Sequence, residues 1–246
     1  MNNHFKIIVC CYNVEKWVST TIKSIKSQTY GNFKCTVVDA SSEDGTVEKI
    51  KEAIGDDSRF EVIINDVRKF PLQNQFDTFK NWEAGDEDIV VTVDGDDWLY
   101  NNNVLQCIND IYEREDVVLT YGSYVNYPHG KKSQLRLYPK NIIENNDYRK
   151  YDFLSSHLRT FKYKVFKALK KESLLSSWNN EFYKKAGDYA LMIPLLEISG
   201  KKIYFVDKPL YVYNVYNPLN ENKVDVEMIH RVVDDVKKKQ KYNSLF

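Results

Sequence analysis

Three carboxylates fall within four residues at Asp94-Gly95-Asp96-Asp97. Like charges so close repel one another, so the cluster gains a folded chain nothing unless something positive offsets it. Carboxylate oxygens are hard ligands that suit Mn2+ or Mg2+, and such ions commonly bridge one or two protein carboxylates and a substrate phosphate. Asp94, Asp96 and Asp97 are therefore candidate metal ligands. The competing explanation is an acidic turn in which Gly95 supplies a positive φ. A second group is His157-Leu158-Arg159. An imidazole can join a metal shell and a guanidinium can clamp a phosphate; the alternative is a surface capping region. Arg68 and Lys69 are candidates for meeting a base or diphosphate, or else a solvated pair. Trp98 is a candidate for stacking on a sugar ring, with core packing as the alternative. Tyr211, Tyr213 and Tyr216 alternate and suit either a cleft wall or burial.

The elements that must position these residues follow from hydrophobic periodicity. Short apolar runs at Lys6–Cys11, Phe33–Asp39, Phe60–Ile64 and Ile89–Val93 predict four strands. Helical spacing predicts helices over Val14–Gln28, around Val47–Ile54 and around Phe76–Trp82. Such βα alternation predicts an α/β fold: a single nucleotide-binding domain with a mostly parallel central sheet flanked by helices. Ligands in these sheets bind beyond the carboxyl ends of the strands, so chemistry is expected just after Cys11, Asp39, Ile64 and Val93. Beyond residue 100 the spacing predicts a helix at Val104–Ile111 and strands at Val117–Tyr124 and Gln134–Tyr138 around the turn Pro128-His129-Gly130. It predicts a polar irregular stretch over Asn141–Asp152 and helices at Phe161–Leu169 and Asp188–Ile198. Strands at Ile203–Val206 and Leu210–Tyr213 and a last helix over Val224–Val236 complete the pattern. No internal repeat or long linker appears.

Composition narrows the function. The 246 residues include 18 Tyr, 12 Phe and 4 Trp, and Lys plus Arg equals Asp plus Glu at 35 each. A formal net charge of zero argues against bulk nucleic-acid binding, which needs a basic face. Cys10, Cys11, Cys35 and Cys107 show no CxxC spacing, which disfavours a structural zinc site, and they read as free thiols. No run approaches the ~20 apolar residues that span a bilayer, and the first apolar run is too short for a signal peptide. The chain is therefore expected to be cytoplasmic. Lys237, Lys238 and Lys239 leave open a peripheral contact with an anionic membrane, against the plainer reading of a solvated helix end.

The segments VCCYNVEKWVSTTIKSIKSQTYGNFKCTVVDASSEDGT and IVVTVDGDDWL resemble the inverting family-two glycosyltransferases of the A-type fold. The resemblance is nearly continuous over about residues 5 to 110 and looser to about 216. It implies that Cys11, Tyr12 and Asn13 lie on the loop holding the nucleotide, with Glu15 near the ribose and base. It implies that Asp39 ends the second strand beside the base. Asp94 would contact the ribose, Asp96 would be the metal ligand on the diphosphate, and Asp97 a second candidate ligand. The family's general base is a carboxylate near the start of a later helix, and Asp188 occupies that place. The physical alternative for Asp188 is an acidic residue favoured by the helix macrodipole. The sequence departs from the family at Cys10, where Pro is frequent. It departs again at Ala40, where a second acidic residue often meets uracil, and at Gly187, where Glu often precedes the base.

The expected function is metal-dependent, inverting transfer from a nucleoside diphosphate sugar, UDP-linked by default, to a hydroxyl on a glycan, protein or lipid-linked acceptor. A donor half (1–110), an acceptor half (111–220) and a C-terminal helix (221–246) would make one domain. Three alternatives stay open, one of them a receiver-like signalling domain, which the acidic strand ends suggest but which would be about half this length. A sugar nucleotidyltransferase would normally show a Gly-rich phosphate loop, which Cys11–Glu15 lacks. A non-catalytic nucleotide- or carbohydrate-binding module would not need Asp188.

Overall fold

The computed structural model describes residues 3–218 and 225–246. The first half alternates strand and helix as expected: β1 (Phe5–Cys11), α1 (Val18–Lys26), β2 (Phe33–Asp39), α2 (Thr46–Ile54), β3 (Phe60–Ile64), α3 (Pro71–Asn81) and β4 (Ile89–Asp94). β1, β2 and β4 are rich in β-branched and other apolar residues and are buried along most of their length. That is what central parallel strands covered on both faces require. α1 begins at Val18 rather than Val14, because the Val14 N–H is taken by the Thr46 hydroxyl and a turn at Val14–Trp17 precedes the helix. Its buried residues Val18, Thr21, Ile22 and Ile25 form the stripe that faces the sheet. α3 opens on Pro71, whose missing N–H costs nothing in the first turn.

The second half comprises β5 (Trp98–Leu99), α4 (Val104–Arg114), β6 (Leu119–Tyr127), β7 (Lys131–Lys132), α5 (Lys140–Glu144), β8 (Arg159–Lys162), α6 (Tyr163–Lys167), α7 (Gly187–Ser199), β9 (Ile203–Asn214) and α8 (Val226–Lys238). The strands make one sheet in the order β3-β2-β1-β4-β8-β6-β9-β5, with β7 beside β6. β3, β2, β1 and β4 run parallel. β8 is antiparallel to both β4 and β6, and β6 runs parallel to β9.

Several expectations in this half are corrected. Gln134–Tyr138 is not a strand: the hairpin closes at Ser133, and Tyr138 turns into the core, where its N–H donates to the Tyr121 hydroxyl. Phe161 and Lys162, expected to open a helix, belong instead to β8, whose Thr160 hydroxyl bonds those of Thr120 and Tyr112. The two strands expected over 203–213 are one, which passes Pro209 opposite a register irregularity in β6. The polar stretch 141–152 holds most of α5 and a short 3-10 turn at Tyr148–Lys150. Val224, the expected start of the last helix, lies outside the described residues.

Apolar clusters pack on both faces of the sheet. α7 is buried on nearly every side and forms the middle of one cluster, with Val232 and Val236 of α8 packed in the same cluster. Behind it, Arg149 and Glu197 make a buried, two-pronged ion pair at 2.6 and 2.9 Å. The remaining guanidinium donors reach the carbonyls of Val236, Lys239 and Gln240, and Glu197 also accepts from the Tyr242 N–H. The pair therefore ties the C-terminal segment to α7.

Candidate active site

The carboxyl ends of β1 and β4 lie side by side, with Cys10 opposite Asp94. Gly95 follows, and its N–H donates to the Cys10 carbonyl at 2.9 Å. Gly95 does not serve a positive φ, contrary to the simple turn explanation. It serves close approach: a Cβ there would stand 2.7 Å from Cys11 Sγ and 2.8 Å from the Cys10 carbonyl. The acidic loop is thereby pressed against the end of β1, at the edge where ligands of such sheets bind. A cleft of about 730 Å3 opens there, a size that suits a small-molecule substrate.

Asp94, Asp97 and His157 each turn one ligand atom into this cleft, all within 4.8 Å of one another. Asp97 is buried; its Oδ1 accepts the Asn214 N–H at 2.7 Å, while Oδ2 has no hydrogen-bond partner among the described residues. Leaving a carboxylate oxygen buried and unpartnered is costly, and a cation would answer it. Burial pushes Asp97 well above the usual carboxylate range, and Asp96 and Asp94 push further. Burial also pushes Asp94 up to about 6, opposed by Arg159 and helped by Asp96 and Asp188. The Asp94 side chain remains 37% exposed to the cleft, so water tempers that shift. Asp96 is raised by burial too, while the Asn217 amide donates to its Oδ2 at 2.7 Å.

His157 sits on the turn into β8, flat against Tyr211 (4.5 Å, 5°) and beside Tyr213 (5.5 Å). Its Nε2 lies 3.8 Å from Asp94 Oδ2 and accepts from Arg159 Nη2 at 3.3 Å. Burial, then the Arg159 charge, holds His157 well below the usual imidazole range. A neutral ring is the form a metal accepts, and a cation here would take the Nε2 lone pair that Arg159 now holds. The donor set of two carboxylates and one imidazole therefore fits a divalent cation such as Mn2+. His157 and Arg159, expected just ahead of a helix, belong instead to β8 and the turn leading into it.

Asp188 lies in the first turn of α7 with its side chain 40% exposed to the cleft. Its Oδ2 accepts from Arg159 Nη2 at 2.9 Å and its Oδ1 from the Tyr189 N–H at 2.7 Å. Arg159, expected to clamp phosphate, thus bridges His157 and Asp188 and also bonds the Ser155 carbonyl. On the opposite wall the Arg68 guanidinium stacks on the Tyr12 ring at 3.7 Å. Both line the main cleft, and with Cys11 and Ala40 they line a smaller recess beside it.

The other expected donor residues do not line the main cleft. Asp39 is fully buried and accepts both the N–H and the hydroxyl of Ser42. Asn13, in the left-handed region at φ 51°, holds Ser42 and Glu43. Glu15 accepts from the Gly45 N–H at 3.3 Å. These three brace the loop that shapes the recess. Trp98 packs edge-on against Tyr127 at 5.1 Å rather than lining the cleft. Lys69 pairs with Asp77 at 2.9 Å. Asn214 and Asn217, which hold Asp97 and Asp96, carried no sequence signal, since neither their type nor their spacing points at the acidic loop. Cys11 and Cys35 are buried and Cys10 and Cys107 partly so, all as free thiols.

Fold and site define an α/β protein whose strand ends carry an acidic group able to hold a cation. The model of Glycosyl transferase family 2 matches residues 6–173, and the chain belongs to that family. It is 24% identical to the glycosyltransferase GlyA of Streptococcus pneumoniae, over 95% of this chain and 34% of that protein. It is 29% identical to the Escherichia coli UDP-Glc:alpha-D-GlcNAc-diphosphoundecaprenol beta-1,3-glucosyltransferase WfgD, over 48% of this chain and 44% of that protein. The chain thus spans less than half the length of these curated relatives. Among solved structures, S. aureus TarS in complex with UDP-GlcNAc superposes with a TM-score of 0.69 at 18% identity, over 93% of this chain and 64% of that one. Glucosyl-3-phosphoglycerate synthase of Mycobacterium tuberculosis, solved with Mn2+, UDP and phosphoglyceric acid, gives 0.63 at 13% identity, over 97% and 80%. These likenesses establish the A-type glycosyltransferase fold. Among the described residues no helix is long and apolar enough to cross a membrane.

Proposed function

We propose that this chain transfers a glycosyl group from a nucleoside diphosphate sugar to an acceptor hydroxyl, with inversion, in the building of a glycan. UDP sugars are the default donors. The observation that carries the reading is a single cleft holding two separate demands of the reaction: the Asp94, Asp97 and His157 group, and the isolated carboxylate of Asp188. A divalent cation on the first group would offset the charge that grows on the leaving diphosphate. Asp96 adds charge to the same wall and would be a further ligand if its hydrogen bond from Asn217 were given up.

Asp188 takes the proton of the acceptor hydroxyl as its oxygen bonds to the anomeric carbon and the bond from that carbon to the diphosphate breaks. Arg159 acts as a positioning residue: its hydrogen bond fixes the Asp188 carboxylate toward the cleft. Tyr12 and Arg68 offer a stacked face to the base, and the recess beside Ala40 and Cys11 receives its edge. Asp94 faces the ribose and diphosphate. Residues 1–110 form the donor half and 111–220 the acceptor half, with His157 and Asp188 reaching into the shared cleft. The complexes of TarS with UDP-GlcNAc and of the mycobacterial synthase with Mn2+ and UDP support the donor and metal assignments by fold. A cytoplasmic setting belongs to this reading.

The test is release of nucleoside diphosphate from UDP-glucose, UDP-galactose, UDP-N-acetylglucosamine and GDP-mannose in the presence of Mn2+. One donor is expected to turn over, with Asp188→Asn inactive on it. Turnover of none, together with no nucleotide binding, would overturn the reading.

A further inference from the structure

Away from its acidic end the cleft carries cations, two of which have no ion pair among the described residues. Lys184 and Lys185 stand just before Ala186, whose left-handed backbone (φ 47°) swings the chain into α7 and Asp188. Lys237 enters the same cleft from the last turn of α8. Lys184 has Glu181 at 3.1 Å, but among the described residues Lys185 and Lys237 have no ion pair. Lys185 is half-buried. Outside the acidic loop and Asp188, the carboxylate lining the cleft is Asp152, which is exposed and interacts with Arg136. Lys237 is exposed, and ammonium groups that line one cleft without an ion pair make that part of it attractive to an anion.

The lysines also adjoin an apolar surface. Ile229, Val233 and Lys237 are spaced by four residues, share one face of α8, and all line the cleft. That wall therefore carries both an apolar and a cationic group, while Lys185 stands three residues before Asp188. On the reading above, the donor diphosphate would take its counter-charge from a cation held by Asp94, Asp97 and His157, which leaves the lysines to an anion on the other substrate. Lysine is a point-charge binder of phosphate, without the two-pronged fork that favours carboxylate.

We infer that the acceptor carries a phosphate group close to the hydroxyl that meets Asp188. Sugars linked through a diphosphate to a lipid and phosphodiester-bearing glycans share this chemistry. The inference rests on the glycosyl-transfer reading above.

The test offers glucose, galactose and N-acetylglucosamine each as the methyl glycoside, the 1-phosphate and the decyl-diphosphate-linked sugar, with binding followed by calorimetry. For one sugar the phosphate-bearing forms are expected to bind about tenfold tighter than the methyl glycoside, the scale of one charge-assisted hydrogen bond. In the doubly substituted chain Lys185→Gln, Lys237→Gln that preference falls below about threefold, and Lys185→Arg with Lys237→Arg retains it. A further gain for the decyl form assigns the acceptor to the lipid-linked source; equal binding of both phosphate forms assigns it to the soluble one. No phosphate preference in the wild type, or a preference untouched by the Gln pair, overturns the inference. UDP binding with Mn2+, measured on the wild type alone, keeps the two failures apart. UDP binding without phosphate preference sinks only the inference. Phosphate preference without UDP binding sinks the reading on which the acceptor assignment stands.

Discussion

Asp188 receives one hydrogen bond from Arg159 and one from its neighbour's N–H, which leaves it oriented and open to the cleft. Asn keeps its size and loses its basicity. Asp188→Asn is therefore expected to lower kcat by about 10²–10⁴, the usual worth of a positioned base, while the Kd for UDP stays within about twofold. Equal loss of UDP binding would point to a donor-binding role instead. His157→Ala should weaken Mn2+ binding at least about tenfold, read by calorimetry, because an imidazole ligand is lost outright. An unchanged Mn2+ affinity would remove His157 from the metal shell. The acidic loop was legible in the sequence because three carboxylates follow a buried strand. His157 stood out only by residue type, since its pairing with Asp94 depends on β8 lying next to β4, which no local spacing encodes. Asp39, Asn13 and Glu15 stood out by type and place, and they brace the loop beside the recess, since polar side chains there bond nearby backbone and hydroxyl groups. Lys185 carried no signal, and Lys237 stood out only as part of a C-terminal lysine run; that both line one cleft depends on the tertiary fold.

Among the elements, the buried Arg149–Glu197 pair fastens the segment after α8 to α7. Arg149→Ala strands a buried carboxylate and should cost about 3–5 kcal/mol in urea unfolding; a loss below about 1 kcal/mol would mean the tail is held by apolar contacts alone. Near α1, Arg59 bonds Asp57, donates to the Lys26 carbonyl and lies over the Phe33 ring. That pairing holds the Asp57 carboxyl down to about 2, mainly through the Arg59 hydrogen bonds. A depressed carboxylate pKa contributes stability above the unfolded-state value of about 3.9 and loses it as pH falls toward the folded-state value. The stability gap between wild type and Asp57→Asn should therefore be full at pH 5 to 7 and shrink from about pH 4 to 2. A gap that stays constant over that range would show that packing, not charge, sets it. The parallel strands were readable from continuous apolar runs and the helices from their stripes. Gln134–Tyr138 misled because Tyr138 is apolar, buried and unpaired to any strand. β8 was hidden because four residues are too few for a period to declare itself.

At the scale of the molecule, a parallel four-stranded half supplies the loop and acidic strand end, and β8 with α7 brings His157, Arg159 and Asp188 to the same cleft. The βα alternation announced the first half. The second half depends on an antiparallel strand inserted between β4 and β6, a long-range choice that local patterns do not record. The central claim is that one nucleoside diphosphate and one divalent cation bind this cleft together. Calorimetric titration of UDP into wild type and into Asp94→Asn, each with and without Mn2+, tests it most directly. The account predicts binding to wild type that strengthens at least about tenfold with Mn2+, and loss of that gain in Asp94→Asn. UDP binding indifferent to Mn2+ in the wild type, or a full Mn2+ gain in Asp94→Asn, would contradict it.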